Sequence, residues 1–319
     1  MPADPAAPGL RRPLPADPAA PGLRRPLVYL GTPELAVPPL RAVVAAGHDV
    51  LLVVTRPDRR RGRGATTSPS PVKAEAEHLG IPVAHSVDAV LDAVLDAGAT
   101  LGVVVAYGRI IPERVLDRVP MVNLHFSLLP RWRGAAPVER AILAGDPVTG
   151  VSVMSLEPTL DTGPVYVSEA VPIEPGEHVQ SLRGRLVDVG SRLLVDLLAR
   201  DLPAPRPQEG EPVYAEKIEP HELELHWDRS ADELSRVVRL DRAFTTWRGR
   251  RLRVLEAEVV APPVGAAAPP LVPGALAGDV VAAGDGALRL VLVQPEGRTA
   301  MEAATWVRGA RPAPGERLG

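Results

Sequence analysis

The sequence contains no cysteine among its 319 residues. This absence excludes disulfide bonds, thiolate catalysis and cysteine-based metal sites, because each of them requires a cysteine sulfur. No stretch reaches the roughly 20 apolar residues that a membrane-spanning helix needs, and the N-terminus lacks the apolar core of a signal peptide. We therefore expect a soluble, cytoplasmic protein without a membrane partner.

A large excess of either charge is also missing. The 36 basic and 39 acidic side chains give a formal net charge of -3, so no global basic field attracts nucleic acid. Any polyanionic partner must bind a local patch. The segment Arg56–Gly64, RPDRRRGRG, is such a patch, and its glycines and proline predict a flexible cationic loop. Arginine binds phosphate well, but a solvated surface loop remains the alternative interpretation.

The first 27 residues contain a direct repeat. Residues 2–14 read PADPAAPGLRRPL, and residues 15–27 repeat these letters in the same order. Dense proline and few bulky apolar residues predict a disordered or polyproline-like segment over residues 1–27. A functional tail, a recent duplication and a start codon assigned too far upstream all remain open.

A βαβ pattern follows the repeat. An apolar strand at Leu27–Leu30, a helix that ends before Gly47 and a second strand at Val50–Val54 predict a parallel sheet. The sequence predicts further helices at 75–79, 89–97 and 179–198, and further strands at 81–83, 101–106, 123–125, 151–154 and 165–171.

The second half of the chain has a different pattern. We predict a first domain over residues 28–200, a proline-rich linker over 201–213 and a second domain over 214–319. The second domain shows one helical pattern at 230–238 and short strands at 251–256, 280–282 and 287–293. Glycine and proline separate these strands, which is typical of a small β-barrel.

Two polar residues mark a candidate active site. Asn123 and His125 lie two positions apart in a predicted strand, so their side chains share one face. An amide donor beside an imidazole suits chemistry that passes through an oxyanion. Asp161 follows and is expected at the end of another strand. His125 lacks the partner at i+4 that a helical zinc site would supply, so no metal is predicted.

Several motifs resemble the folate-dependent formyltransferase family and occur in the family's order. They are GTPELA (Gly31–Ala36), PDRRRGRG (Pro57–Gly64), PSPVK (Pro69–Lys73), VVAYGRIIP (Val104–Pro112), NLHFSLLPRWRGAAP (Asn123–Pro137) and LDTGPVY (Leu160–Tyr166). The resemblance runs from about residue 28 to 212 and continues more weakly to the C-terminus. The asparagine, histidine and aspartate alone mark the wider family, whereas RWRGAAP with the Gly-Arg-Gly loop resembles the members that formylate methionyl-tRNA.

This resemblance implies a fold and two substrates. The fold is a Rossmann-like parallel-sheet domain followed by a small OB-like β-barrel domain, and a monomer is expected. The formyl donor is 10-formyltetrahydrofolate, bound by Tyr107, Gly108, Ile110, Ser127, Leu128, Leu129 and Pro130. The acceptor is the methionine α-amino group of initiator methionyl-tRNA, used in translation initiation. The implied tRNA-binding residues are Arg59, Arg60, Arg61, Arg63, Lys73, Arg131 and Arg133.

The resemblance also implies a role for each catalytic residue. Asn123 and a protonated His125 stabilise an oxyanion, while Asp161 supports the imidazolium and helps to relay a proton. Three alternatives remain. They are a relative that formylates an amino-sugar nucleotide, a formyltetrahydrofolate hydrolase that releases formate, and an RNA-binding module with a vestigial pocket. In the second domain, Arg239–Arg253 lacks the family's usual proline-rich segment, so a relative with another acceptor remains open.

Overall fold

A computed structural model of the chain describes residues 23–60, 67–261, 272–313 and 315–319. Residues 1–22 of the predicted tail lie outside the described residues, while Pro26 and Leu27 already belong to the first strand. The described residues form two compact units. The first consists of the residues up to Pro137 together with Val148–Pro172 and Arg183–Ala215, and the second of Val138–Pro147, Ile173–Leu182 and Glu216–Gly319.

The first unit contains a seven-stranded sheet in the order β10-β9-β7-β6-β1-β2-β5. Its strands, with four short ones outside the sheet, are β1 (Pro26–Gly31), β2 (Asp49–Val54), β3 (Arg59–Arg60), β4 (Thr67–Ser68), β5 (Val83–Ala84), β6 (Leu101–Val105), β7 (Met121–His125), β8 (Arg133–Gly134), β9 (Val148–Ser155), β10 (Val165–Pro172) and β11 (Tyr214–Ala215).

Pairing within this sheet changes direction at one edge. Strands β5, β2, β1, β6 and β7 pair in parallel, as the βαβ pattern predicts. Strand β9 pairs antiparallel with β7, and β10 pairs antiparallel with β9. The connection between them, residues 156–164, is too short for the crossover that a parallel pair requires.

Helices fill the connections between the parallel strands. The helices of the described residues are α1 (Val37–Ala45), α2 (Pro71–His78), α3 (Ala89–Ala97), α4 (Glu113–Leu116), α5 (Pro137–Ala144), α6 (Val179–Leu198), α7 (Ala231–Val238) and α8 (Ala303–Ala310). Two short 3₁₀ helices lie at Glu34–Ala36 and Pro220–Leu223. Helix α2 begins earlier than its predicted start at residue 75, because Ser70 caps it by accepting a hydrogen bond from the Lys73 amide.

The core of the first unit lies on the parallel strands. Val28 and Leu30 of β1 and Val104 of β6 pack with Val90 and Val115 from the helices. Strands β6 and β7 are buried along their whole length. Central parallel strands are covered on both faces and are therefore apolar throughout, so a polar residue inside β7 is an exception that needs a reason.

The second unit is built on an antiparallel sheet in the order β12-β13-β16-β15-β14, with β17 paired to β16. Its strands are β12 (Phe244–Trp247), β13 (Arg250–Val260), β14 (Leu276–Ala277), β15 (Val280–Ala282), β16 (Ala287–Pro295) and β17 (Met301–Glu302). Trp227, Leu234, Val254, Leu288 and Trp306 belong to one core.

Two details of the prediction are wrong. The second unit contains the helix α8 in addition to α7, which the sequence pattern assigned as its only helix. Helix α8 is short, but Ala303 and Trp306 bury against the core. The predicted cationic loop also contains a short regular element, since Arg59 and Arg60 form β3, which pairs with β4. Residues 61–66 of that loop lie outside the described residues.

The fold class is confirmed. The first unit has the Rossmann-like parallel sheet, and an antiparallel β-unit of the OB-like kind follows it in the chain. Within the described ranges, no helix is long and apolar enough to cross a membrane.

Candidate active site

Strand β7 positions the two polar residues of the candidate site. Asn123 and His125 lie near its carboxyl end, between the neighbouring strands β6 and β9. Their exposed fractions are only 8% and 6%. As the alternation of a strand predicts, both side chains approach the same third group, the carboxylate of Asp161.

Asp161 lies in the loop between β9 and β10. This corrects the prediction that it follows directly at the end of a strand, since β9 ends at Ser155. Its Oδ1 lies 3.5 Å from Nδ2 of Asn123, and its Oδ2 lies 3.6 Å from Nδ1 of His125. The backbone amide of Gly134 donates a hydrogen bond of 2.8 Å to the same Oδ2. The carboxylate of Asp161 therefore lies close to the side chains of both Asn123 and His125.

The hydrogen-bond partner of Nε2 in His125 shows which ring nitrogen can change its protonation. Nε2 lies 2.8 Å from the carbonyl oxygen of Trp132. A carbonyl oxygen only accepts hydrogen bonds, so Nε2 carries hydrogen in the neutral as well as in the charged ring. Nδ1 is then the atom that gains or loses a proton, and it is the atom that faces Asp161.

Three residues near the site have a left-handed backbone. The φ angles are 47° at Ala106, 64° at Trp132 and 53° at Asp161. Residues other than glycine rarely adopt this conformation, and each instance costs about 1–3 kcal/mol. Such residues persist where surrounding contacts hold them, and they are concentrated at functional sites. The strained backbone thus coincides with the groups that sequence motifs single out.

The residues predicted to bind folate lie on segments that follow two neighbouring strands. Tyr107 and Gly108 follow β6, and Ser127 follows β7, so these segments start at the same edge of the sheet. The Ser127 hydroxyl donates a 2.6 Å hydrogen bond to the Arg131 carbonyl, which closes the turn that contains Leu128, Leu129 and Pro130. The Leu129–Pro130 peptide bond is cis.

Burial differs sharply among these residues. Tyr107 is 2% exposed, and burial raises the pKa of its hydroxyl, with Arg109 acting in the opposite direction. Ile110 is 79% exposed, which is unusual for a large apolar side chain. An apolar side chain left open at the ligand-binding edge of an α/β sheet is available to contact a flat aromatic ligand.

The predicted tRNA-binding residues divide into three groups. Arg61 and Arg63 lie outside the described residues, and Arg59 and Arg60 form β3. Lys73 is paired with Asp58 at 2.7 Å, and this hydrogen bond raises the pKa of the lysine. The third group consists of the two arginines of the RWRG motif.

These two arginines face different surroundings. The guanidinium of Arg131 lies 4.5 Å from the ring centre of its neighbour Trp132. Arg133 donates two hydrogen bonds, of 3.0 and 2.7 Å, to the side-chain oxygen of Gln208.

Gln208 is a site residue that sequence reasoning missed. It lies in the proline-rich segment predicted as a linker, and its side-chain nitrogen donates to the carbonyls of Asp161 and Gly163 at 2.9 and 2.8 Å. No local pattern in the sequence indicates these contacts, because they join residues 45 or more positions apart. Across the described ranges, no three potential metal ligands cluster.

Family models match most of the chain. The model described as formyl transferase matches residues 27–198, and the model described as formyl transferase, C-terminal domain, matches residues 217–311.

Curated relatives match over nearly the same length. A methionyl-tRNA formyltransferase of Jannaschia sp. (strain CCS1) is 42% identical over 304 residues, which cover 92% of this chain and 99% of the relative. A methionyl-tRNA formyltransferase of Thermus thermophilus is 44% identical over 309 residues, with the same coverage of both chains.

Solved structures share the fold at low sequence identity. The N-formyltransferase of Helicobacter canadensis, in complex with folinic acid and dTDP-3-aminofucose, has a TM-score of 0.62 and 14% identity over 86% of this chain and all of the other. HypX of Aquifex aeolicus in complex with tetrahydrofolic acid has a TM-score of 0.61 and 16% identity over 89% of this chain and 47% of its own.

Proposed function

Since this chain belongs to the formyltransferase family, we propose that it transfers a formyl group from 10-formyltetrahydrofolate to initiator methionyl-tRNA for translation initiation. The acceptor atom is the α-amino nitrogen of the methionine. The observation that carries this proposal is the approach of Asn123 and His125 to Asp161 within 3.6 Å at the end of β7. Relatives that carry the name methionyl-tRNA formyltransferase support the choice of acceptor.

Asn123 and His125 stabilise the charge that develops in the reaction. When the amine attacks the formyl carbon, a carbon–nitrogen bond forms and the formyl oxygen becomes an oxyanion. The amide of Asn123 and the protonated Nδ1 of His125 donate hydrogen bonds toward that oxyanion. Donors of this kind contribute about 2.7–4 kcal/mol each to transition-state stabilisation.

Asp161 supports the imidazolium and moves a proton. Its carboxylate faces Nδ1 of His125, the atom that gains the proton. The bond between the formyl carbon and N10 then breaks. The attacking nitrogen loses one proton, and N10 of the departing tetrahydrofolate gains one, so bonds and protons balance. Asp161 accepts the first proton and returns it at the second nitrogen. All three side chains are largely buried.

The donor site lies at the edge of the sheet where β6 and β7 end. We assign folate binding to the segments after these strands, with the residues Tyr107, Gly108, Ile110, Ser127, Leu128, Leu129 and Pro130. The folate supplies the formyl group when it is bound. The exposed Ile110 and the closed turn after Ser127 support the assignment.

Positively charged side chains are the basis for assigning the surface that binds the tRNA acceptor. We assign tRNA binding to Arg59, Arg60, Arg61, Arg63, Lys73, Arg131 and Arg133 and to a C-terminal tRNA-binding domain over residues 214–319. The catalytic domain covers residues 28–200, and residues 201–213 connect the two. We further propose that the protein acts as a monomer in the cytoplasm, where initiator methionyl-tRNA is used.

A comparison of acceptors tests the proposal. The purified protein is incubated with formyl-labelled 10-formyltetrahydrofolate and, separately, with charged initiator tRNA, with an amino-sugar nucleotide or with no acceptor. The label should move to the methionine of the tRNA. Label on the amino sugar, or formate released without an acceptor, would replace the proposal with the corresponding alternative.

A further inference from the structure

We propose that Gln208 is a positioning residue that holds Asp161 in its catalytic conformation. This inference rests on the proposed formyl transfer. It concerns a residue of the segment that the sequence pattern treats as a connecting linker, and it gives that segment a part in the reaction.

The side-chain amide of Gln208 is fully engaged. Its nitrogen donates to the carbonyl oxygens of Asp161 and Gly163, at 2.9 and 2.8 Å, so it spans the three residues of the Asp-Thr-Gly motif. Its oxygen accepts two hydrogen bonds from the guanidinium of Arg133. This set of contacts requires an NH2 group with two N–H donors and an acceptor oxygen on one side chain, and the amide of glutamine provides both.

The loop that Gln208 contacts needs to be held. Asp161 has a φ of 53°, which costs energy for a residue with a side chain. Gly163 passes so close to β9 that a Cβ atom there would collide with the carbonyl oxygen of Ser155. The two carbonyls that Gln208 binds therefore belong to a loop with a strained aspartate at one end and a tight approach at the other.

The contacts of Gln208 form a closed ring that includes the catalytic carboxylate. Gln208 donates to the backbone of Asp161 and accepts from Arg133, which is bonded covalently to Gly134. The Gly134 amide donates to Oδ2 of Asp161 and completes the ring. One side of the ring fixes the backbone of the aspartate, and the other fixes its carboxylate, so Gln208 acts on the direction in which Asp161 points.

The segment that carries Gln208 is itself attached to the first unit. Arg206 and Val165 exchange backbone hydrogen bonds of 2.7 and 2.8 Å. Val213 donates to the Pro130 carbonyl and accepts from the Arg133 amide. These bonds lie on both sides of Gln208 and keep its side chain at the Asp161 loop.

Gln208→Ala should lower kcat by about 10–100-fold, the loss that follows when a catalytic group is displaced by about 1 Å. The KM for the folate donor should change by less than about twofold, since Gln208 is proposed not to contact the folate. Gln208→Glu keeps the acceptor for Arg133 but loses both donors. It should therefore lower kcat as strongly as the alanine variant does.

Gln294 provides a matched control. Its side-chain oxygen accepts from Arg253 at 3.0 Å, and its nitrogen donates to the Arg298 carbonyl at 3.0 Å. The same types of contact occur there in the second unit. Gln294→Ala should lower the thermal midpoint by about as much as Gln208→Ala does, so it measures what the loss of such a bridge costs in stability.

A double-mutant cycle separates positioning from general stability. In an Asp161→Asn background, Gln208→Ala should cost less than about threefold more in kcat, because a residue that acts through Asp161 loses its effect when the carboxylate is gone. If the wild-type protein does not formylate methionyl-tRNA, the proposed function is refuted. Two results with an active wild type would overturn only the positioning role. One is a double variant whose loss in kcat equals the product of the two single losses, and the other is a Gln208→Ala variant with normal kcat.

Discussion

His125 presents Nδ1 to Oδ2 of Asp161 at 3.6 Å, while its Nε2 is occupied by the carbonyl of Trp132 at 2.8 Å. The backbone carbonyl thereby fixes the hydrogen on Nε2 and leaves Nδ1 as the atom that changes its protonation. The ring is held in one orientation by the RWRG segment, with Nδ1 directed toward the carboxylate of Asp161.

Asp161→Asn should lower kcat about 100-fold, within the range for loss of an acid–base group. In the proposed mechanism, the variant loses the negative charge that supports the imidazolium and the group that accepts the amine proton. Asparagine tolerates a positive φ, and its side-chain oxygen still accepts from the Gly134 amide, so the thermal midpoint should change little. Steady-state kinetics and calorimetry on one preparation measure both effects. An equal loss of folded protein and of activity would contradict the catalytic role.

Gly163→Ala should destabilise the protein by about 1–3 kcal/mol, as overpacking of a closed site does. The added Cβ would meet the Ser155 carbonyl oxygen, which belongs to a sheet strand and cannot move aside. Thermal unfolding measures the loss.

Gly184→Ala is the matched control for that substitution. Apart from the backbone of its own helix, no atom lies within 4 Å of its hypothetical Cβ, and the residue lies inside α6. This variant should gain roughly 0.5–1 kcal/mol because alanine favours the helix. A similar loss in both variants would show that the close approach at Gly163 is not the cause.

Arg41→Ala should reduce stability in a pH-dependent way. Arg41 donates two hydrogen bonds to Glu75, at 2.7 and 2.6 Å, and these bonds lower the pKa of this carboxyl. The folded pKa lies below the unfolded value of about 4.3, so the stabilisation is complete above that pH and is lost as the pH falls through the folded pKa.

Denaturant unfolding at several pH values tests this linkage. The difference in the free energy of unfolding between wild type and Arg41→Ala should be full at about pH 7 and should shrink below about pH 4.3. Arg114→Ala serves as the control, because it removes an ion pair with Asp88 whose side chains are 60% and 55% exposed. Exposed pairs contribute little. A pH-independent difference for Arg41→Ala would contradict the assignment.

Neutralising the arginine loop should weaken tRNA binding and leave folate binding unchanged. With Arg59, Arg60, Arg61 and Arg63 replaced by alanine, the KM for tRNA should rise. The slope of log affinity against log salt should fall by about one for each phosphate group that the protein no longer neutralises. Arg114→Ala should leave the slope unchanged, and an unchanged slope in the loop variant would remove the loop from the tRNA surface.

Much of the fold could be predicted from local patterns. Helix α3 and helix α6 have the bounds that their sequence periodicity indicates. Helix α8 could not be found in this way, because its eight residues include Gly309 and its stability comes from Trp306 in the core. The antiparallel direction of β9 depends on pairing with β7 rather than on any feature of its own sequence.

The candidate site also has some features that the sequence predicts and others that it does not. The shared face of Asn123 and His125 follows from the twofold period of a strand and was predictable. The conformation of Asp161 was not, since its loop is held by Gln208, 47 residues later. Local patterns carry no information on such distant contacts, and the proline-rich composition around Gln208 pointed to a linker instead.

The most direct test of the account is the single-turnover rate of formyl transfer to initiator methionyl-tRNA by His125→Ala. Loss of one oxyanion donor predicts a rate about 10²–10³-fold below the wild type, with unchanged affinity for the tRNA, while His78→Ala on the surface of α2 keeps the wild-type rate. A His125→Ala enzyme that transfers the formyl group within about threefold of the wild-type rate would contradict the central claim that this histidine stabilises the transition state.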